Sequence, residues 1–375
     1  MKKVNRGSVT IVMDGQAGSC GKGKTIGYLA LRDMPSAAIN NFMSNAGHTF
    51  EADDGRRVMT QHLPTSIVSR GTQLLIGPGA AITMDILFDE IRKYSRLDGQ
   101  IHSDLLGNRR IFIHPNAAVI TEAHREKERQ MIRSGSTFKG CGVAQAEKAM
   151  RSPDARLFGD VVIPREFDDY IQITDTGLVI NNLINNGGNV LIEGSQGFDL
   201  DINYGIEYPY VTSRQCNAGQ LVADCGISPM LVNDIYMVIR PYPIRISNQT
   251  DIGVDCCSGQ YGSSKEITWD TVKSRCGAPD DVQFGEKTTV TKKTRRVFEM
   301  NWERLQYAVK INRPTKICLN FAQYIDYDAY CSTTWNAMPS RVRKFIDEVE
   351  RRTNVPVTLI GTGPANMHMV DLDKI

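Results

Sequence analysis

The chain has 375 residues, of which 41% are hydrophobic and 23% charged, and its formal net charge is +2. That is a globular composition with length for one large core, and the near-neutral balance excludes a bulk electrostatic case for nucleic acid or a membrane surface. No N-terminal apolar segment reads as a secretion signal, no run is long enough to span a bilayer, and nine cysteines, an odd count including adjacent Cys256 and Cys257, favour reduced thiols and a cytoplasmic location.

Residues 9–13, VTIVM, form a β-branched and apolar run, the mark of a buried strand. Gly15, Gly18, Gly21 and Gly23 then punctuate a tight loop, and residues 24–31 continue as a helix. Strand, glycine loop and helix make a phosphate cradle. Amides without a Cβ in the way can approach an anion, and the helix N-terminus adds partial positive charge. GSCGKGKT (18–25) formally fits G-x-x-x-x-G-K-[ST], which would make Lys24 the phosphate lysine of a plain P-loop. A glycine turn that only joins strand to helix has the same local signature.

Residues 37–42 and 58–63 read as further short strands, with His48 in the loop between them. Residues 74–76 are a strand ending in a glycine turn, and 83–95 an amphipathic helix with Thr83 as its N-cap ahead of Asp85. A buried strand covers 110–114 and a charged helix 121–133. A flexible loop, 134–142, then leads into a helix that runs to Arg151. Strands recur at 190–193, 235–240, 315–321 and 357–360, the second ended by Pro241, which cannot donate to a ladder. Residues 247–278 read as irregular, and the basic run 292–296 as a local solvated loop. Strands alternating with helices, without repeats, predict an α/β fold. It is a mostly parallel central sheet with smaller helical and loop lobes, one domain over 1–375. No Cys/His spacing matches a zinc site.

GSCGKGK (18–24) and NAGHT (45–49) together resemble the adenylosuccinate synthetase family, whose pattern is GDEGKGK followed by NAGHT. Later blocks extend the resemblance over most of the chain. EGSQG (193–197), DLDINYG (199–205) and YPYVTS (208–213) are similar to the family's EGAQG, LLDIDxG and YPYVTS. STFKGCG (136–142) is similar to TTGRGxG, Tyr242 with Arg245 to AYxxR, TTVTKKTRR (288–296) to TTGRxRR, and GTGP (361–364) to SxGP.

The resemblance implies the family's fold and a carbon–nitrogen ligase that joins L-aspartate to C6 of a 6-oxopurine nucleotide. A nucleoside triphosphate phosphorylates O6, and the aspartate amine then displaces phosphate. The triphosphate falls to Gly18, Gly21, Lys22, Gly23, Lys24, Gly47, His48, Thr49, Asn320, Gln323, Gly361, Gly363 and Pro364, with Lys22 as the phosphate-neutralising lysine. The purine monophosphate falls to Ser19, Asn45, Ala46, Thr137, Arg151, Gln196, Thr212 and Lys293, the last at a family arginine. Aspartate falls to Thr289, Val290, Thr291 and Arg295, whose planar fork suits an α-carboxylate. His48 is the expected general acid, Ser19 a second catalytic residue, and Mg²⁺ the expected cofactor at Ser19 and Gly47. Arg151 matches an arginine that reaches the neighbouring subunit's nucleotide, so a homodimer is implied.

Two departures fall on specificity positions. Ser19 stands where the family has an aspartate that takes the N1 proton and holds magnesium. A serine hydroxyl is a poor base near neutral pH, but it is short and uncharged and leaves room beside C2 for a 2-amino group. A branch of the family, carried by bacteriophages that put 2-aminoadenine into DNA, has this serine and uses dGMP. The chain resembles that branch, which implies dGMP as acceptor and the host cytoplasm as location. Phe321 and Gln323 replace the lysine and aspartate that select guanine in the donor. Glutamine pairs with adenine and phenylalanine offers stacking, so ATP or dATP is the expected donor. Two other readings stay open. One is an ordinary adenylosuccinate synthetase taking IMP and GTP. The other is a P-loop ATPase whose nearest magnesium-holding strand, 190–192, would end in Glu193.

Overall fold

The structure, a computed structural model, describes residues 7–95, 105–107, 109, 111–131, 136–247, 258–287 and 294–374. Its strands in the first half are β1 (Val9–Asp14), β2 (Ala37–Asn40), β3 (His48–Glu51), β4 (Arg57–Thr60), β5 (Gln73–Ile76), β6 (Ala81–Ile82), β7 (Ile111–Ile113), β8 (Ala118–Val119) and β9 (Ile171–Ile173). In the second half they are β10 (Val190–Glu193), β11 (Val232–Ile239), β12 (Ile244–Arg245), β13 (Glu266–Ile267), β14 (Arg296–Phe298), β15 (Lys316–Leu319), β16 (Val357–Gly361) and β17 (Met369–Asp371). The helices are α1 (Lys22–Asp33), α2 (Met84–Tyr94), α3 (Glu122–Met131), α4 (Cys141–Met150), α5 (Thr176–Asn185), α6 (Ala218–Ala223), α7 (Trp269–Cys276), α8 (Trp302–Asn312) and α9 (Ser340–Thr353).

Ten strands form one sheet in the order β17-β16-β15-β11-β1-β10-β2-β5-β7-β9. All neighbours run parallel except β16 and β17, so an antiparallel edge strand closes an otherwise parallel sheet. The central strands are apolar on both faces, as covered parallel strands must be. On β1, Ile11 and Met13 join the core on one face of the sheet, and Val12 joins Ile26 and Leu29 of α1 on the other. The α9 helix buries Val342, Ile346 and Val349, a spacing of four and three that lays one apolar stripe on the sheet. Asn301 caps α8 by accepting from the Arg304 amide at 3.0 Å, and Asp175 caps α5 by accepting from Leu178 at 3.0 Å.

The predicted α/β class and the parallel sheet are as expected; several local expectations are not. Helix α1 begins at Lys22 rather than Lys24, because Gly21 at φ +86° turns the chain directly into it. His48 opens a strand instead of sitting in a loop, and β3 pairs with β4 as a hairpin outside the main sheet. Thr83 holds the N-cap position of α2 without a side-chain capping bond, since its hydroxyl pairs with Ser44 Oγ at 2.6 Å. The stretch read as irregular, 247–278, carries β13 and α7, the latter capped by Thr268. Among the described residues the cysteines are free and no helix is long and apolar enough to cross a membrane.

Candidate active site

In a parallel sheet every strand ends at the same edge, and ligands gather there where the connections diverge. Strand β1 lies between β10 and β11, and segments following β1, β2, β10, β11, β15 and β16 line one cleft of about 1240 Å³. That exceeds the ~300–1,000 Å³ of a site for one small ligand. All expected site residues that the structure describes line it, with one exception. Arg151 lies outside the cleft on the exposed end of α4, in a left-handed conformation with φ 56°. Thr289, Val290, Thr291 and Lys293 lie outside the described residues.

The phosphate loop is fixed by protein contacts on every side. Lys22 is buried and donates to Asp14 at 3.0 Å and to the Gln196 carbonyl at 2.5 Å. Asp14, which ends β1, also accepts from the amides of Gln16 at 2.9 Å and Cys20 at 3.2 Å. Lys24 points elsewhere. Its ammonium donates to the carbonyls of Gly363 and, at 2.6 Å, His368, tying α1 to the turn after β16. Burial lowers the Lys24 amine to about 8. Asn320 donates to the Cys20 carbonyl at 2.9 Å and to Thr25 Oγ1 at 3.1 Å, so this expected base-site residue braces the loop. Gly23 allows a close approach of backbone to backbone. A Cβ there would lie 2.5 Å from the Thr49 carbonyl oxygen, so only glycine lets α1 touch the strand that carries His48.

Three cleft residues that are not glycine hold positive φ: Ser19 at 56°, Gln196 at 58° and Phe321 at 63°. Strain of this kind persists where the surroundings fix it and clusters at functional sites. For Ser19 the fixing contact is Arg240, fully buried, whose Nη1 donates to the Ser19 carbonyl at 2.9 Å. For Gln196 it is Asn45 Oδ1, which accepts from Nε2 at 2.9 Å. Phe321 already covers the Arg240 guanidinium at 4.3 Å and stacks on Tyr324 at 5.5 Å. The ring expected to stack on the donor base is therefore largely engaged within the protein.

The walls facing the loop are different. His48 Nδ1, Thr212 Oγ1, Arg245 Nη1, Ser247 Oγ, Arg295 Nε and Gln323 Oε1 are buried, lack hydrogen-bond partners and belong to cleft residues. Buried polar atoms are seldom left unpaired, and several converging on one cleft mark a ligand site. Burial and the nearby Lys22 lower the His48 imidazole to about 3. The ring is thus neutral near pH 7, and the expected general acid does not carry its extra proton in the unliganded cleft. Thr137 lies in a loop held by Glu128, which accepts from Ser136 Oγ at 2.8 Å and from the Gly140 amide. The DLDINYG block works as scaffolding. Asp199 pairs with the half-buried Arg304 at 2.8 Å and accepts from the buried Tyr261 at 2.5 Å.

Glu193 lies far from a magnesium-holding role. Its carboxylate accepts from the amides of Thr65 at 2.7 Å and Ser66 at 2.9 Å, and burial raises it to about 7. With Lys24 also turned to backbone carbonyls, two requirements of a plain P-loop ATPase are missing. The sequence reading overlooked Asp14, Arg240 and Glu286. Asp14 and Arg240 are charged residues closing apolar strands, a visible signal; Glu286 gives none.

The family model described as adenylosuccinate synthetase matches residues 11–172 and 165–329. The N6-succino-2-amino-2'-deoxyadenylate synthase of Salmonella phage PMBT28 is 35% identical over 337 residues, 85% of this chain and 86% of that one. The adenylosuccinate synthetase of Pyrococcus sp. (strain ST700) is 31% identical over 366 residues, covering 96% and 97%. The solved succinoaminodeoxyadenylate synthetase of cyanophage S-2L, bound to dGMP and dATP as an energy donor, superposes with a TM-score of 0.79 at 30% identity, covering 98% of this chain and 96% of that one. With loop, cleft and fold in agreement over nearly the whole length, the chain belongs to the adenylosuccinate synthetase family of carbon–nitrogen ligases.

Proposed function

We propose that the enzyme condenses L-aspartate with C6 of dGMP at the expense of ATP or dATP, giving 2-amino-2'-deoxyadenylosuccinate, the nucleoside diphosphate and phosphate. The observation that carries this reading is Ser19. It lines the cleft on the strained turn anchored by Arg240, and its short uncharged side chain would leave space for a 2-amino purine. The phage synthases among its relatives support the same substrate.

The γ-phosphoryl group moves to O6 as the N1 proton leaves, and the amine of aspartate then attacks C6 and expels phosphate. Lys22, a buried cation lining the cleft, would neutralise charge at the phosphates. His48, neutral when the cleft is empty, serves as a hydrogen-bond donor to the charge developing between γ-phosphate and O6. An arriving phosphate favours its imidazolium form. Ser19 Oγ is the candidate for relaying the N1 proton to phosphate or water; Ser19→Ala without loss of turnover would remove it from that role. Gln323 offers both an acceptor and donors to adenine, and its Oε1 is buried without a partner.

Among the described residues no cluster of three His, Cys, Asp or Glu side chains could cage a metal. Mg²⁺ does not call for such a cluster, because it keeps waters and phosphate oxygens and takes few protein ligands. Ser19 and Gly47, both in the cleft, would hold it, and it would supply further charge neutralisation at the phosphates. The exposure of Arg151 suits a residue that completes the site of a neighbouring copy in a homodimer.

The deciding experiment crosses dGMP, GMP, dIMP and IMP with ATP and GTP in the presence of Mg²⁺ and aspartate, and reads the succinyl adduct by mass. An adduct from dGMP with ATP is expected. An adduct only from IMP with GTP would make this an ordinary adenylosuccinate synthetase.

A further inference from the structure

Arg240 and Glu286 lie at the back of the cleft, and neither has a role in the chemistry above. Arg240 Nη1 donates to the Ser19 carbonyl at 2.9 Å and to Glu286 at 3.0 Å, and its Nη2 donates to the other Glu286 oxygen. Glu286 accepts in addition from Arg295 Nη1 at 2.8 Å and from the Tyr324 hydroxyl at 3.1 Å. Ser19, Arg240, Glu286 and Arg295 thus form one continuous chain of contacts from the phosphate loop to the expected aspartate site.

Four donors saturate the Glu286 carboxylate. Burial alone would raise its affinity for a proton, but Arg240 and Arg295 outweigh burial and hold it below the usual carboxylate range. It is therefore no base. What it does is fix one corner of Arg295. With Nη1 taken, Arg295 Nε remains buried without a partner, and the residue lines the cleft. The Nε and Nη2 edge of a guanidinium accepts a carboxylate with two parallel bonds. The charge count agrees. Two arginines and one glutamate leave one positive charge, which a single incoming carboxylate neutralises.

We propose that Glu286 is a positioning residue for aspartate: anchored by Arg240, it holds Arg295 turned so that its free edge receives the α-carboxylate and registers the amine against the Ser19 turn. This rests on the reading of Arg295 as the aspartate-binding arginine. The test is steady-state kinetics and thermal melting of the full chain for Glu286→Gln, Arg295→Ala and the double variant, with aspartate, dGMP and ATP each varied. E286Q is expected to raise KM for aspartate about tenfold while KM for dGMP and ATP stays within about twofold, and to add nothing on the R295A background. Should E286Q fail to fold, Glu286→Asp keeps the charge facing Arg240 but draws it back from Arg295, and the same split is read there. Equal rises in all three KM values, or an effect that persists undiminished on R295A, would overturn the proposal. If R295A raises KM for aspartate and E286Q does not, the proposal alone falls. If R295A leaves it unchanged, the aspartate reading falls and takes the proposal with it.

Discussion

The phosphate loop and the walls opposite it solve different problems. In the loop, charged and polar groups already have protein partners: Lys22 has Asp14, Lys24 has two carbonyls, and the Ser19 carbonyl has Arg240. In the walls, His48, Thr212, Arg245 and Arg295 keep buried polar atoms without any. The loop is already paired within the protein, whereas the walls keep polar atoms free for a ligand. Pre-forming the phosphate side lets binding energy serve orientation in the transition state rather than ordering of backbone. Removing the loop's buried ion pair should thus damage fold and turnover together, and mutations in the walls should, near neutral pH, touch turnover or KM more than stability.

The largest expected effect is at Lys22. Lys22→Met leaves the buried Asp14 carboxylate unpaired, at a cost of about 3 kcal/mol or more in stability, and removes charge from the phosphates. Urea denaturation should show the first effect, and turnover should fall about a thousandfold or more. Full stability with lost turnover would mean that the loop is not braced through Asp14. His48→Asn comes next, with turnover reduced about a hundredfold or more. It also carries a pH signature. The folded imidazole, at about 3, lies below its ordinary ~6.5, so between these values the unfolded chain binds a proton that the native chain does not. The stability linked to His48 is complete above ~6.5 and lost as pH falls toward 3, at about 1.4 kcal/mol per unit. Asparagine removes that loss. The stability of the wild type relative to the variant should therefore drop by about 2 kcal/mol between pH 6.5 and 5.

Lys24→Met separates the two lysines. It removes two hydrogen bonds to carbonyls but also a desolvated charge, so stability should change by no more than about 1 kcal/mol. KM for the donor should rise by less than about tenfold, because the side chain serves the turn after β16 rather than the phosphates. A collapse of turnover like that of Lys22→Met would restore the plain P-loop reading.

Much of this was legible because it is local. Continuous apolar runs gave the central strands, and contiguous motifs gave Gly18 to Lys24, Asn45 to Thr49, Gln196 and Thr212, which need no knowledge of topology to be grouped. What stayed hidden depends on which strands become neighbours. Arg240 and Glu286 are 46 residues apart, and Arg240 and Ser19 are 221 apart, the latter pair brought together because β11 lies beside β1. His48 to Glu51 reads as loop because Phe50 is its only large apolar residue, yet these residues form a hairpin strand whose register is set by β4. Lys24 shows the same limit. The motif fixes its place on the helix, while its partners come from the far end of the chain.

The smallest effect tests the walls most cleanly. Thr212→Val replaces a hydroxyl by a methyl of similar size, so packing is kept and only the polar atom is lost. Removing one partner of a made hydrogen bond usually destabilises a protein, but Thr212 Oγ1 is buried with no bond to lose. Stability should hold or rise slightly in a thermal melt of the unliganded enzyme. If the atom awaits the purine nucleotide, KM for dGMP should rise about fivefold to tenfold, with KM for aspartate and ATP little changed. A drop in stability with unchanged KM would mean that the hydroxyl is bonded in the folded protein, and that this wall is as complete before ligand as the loop it faces.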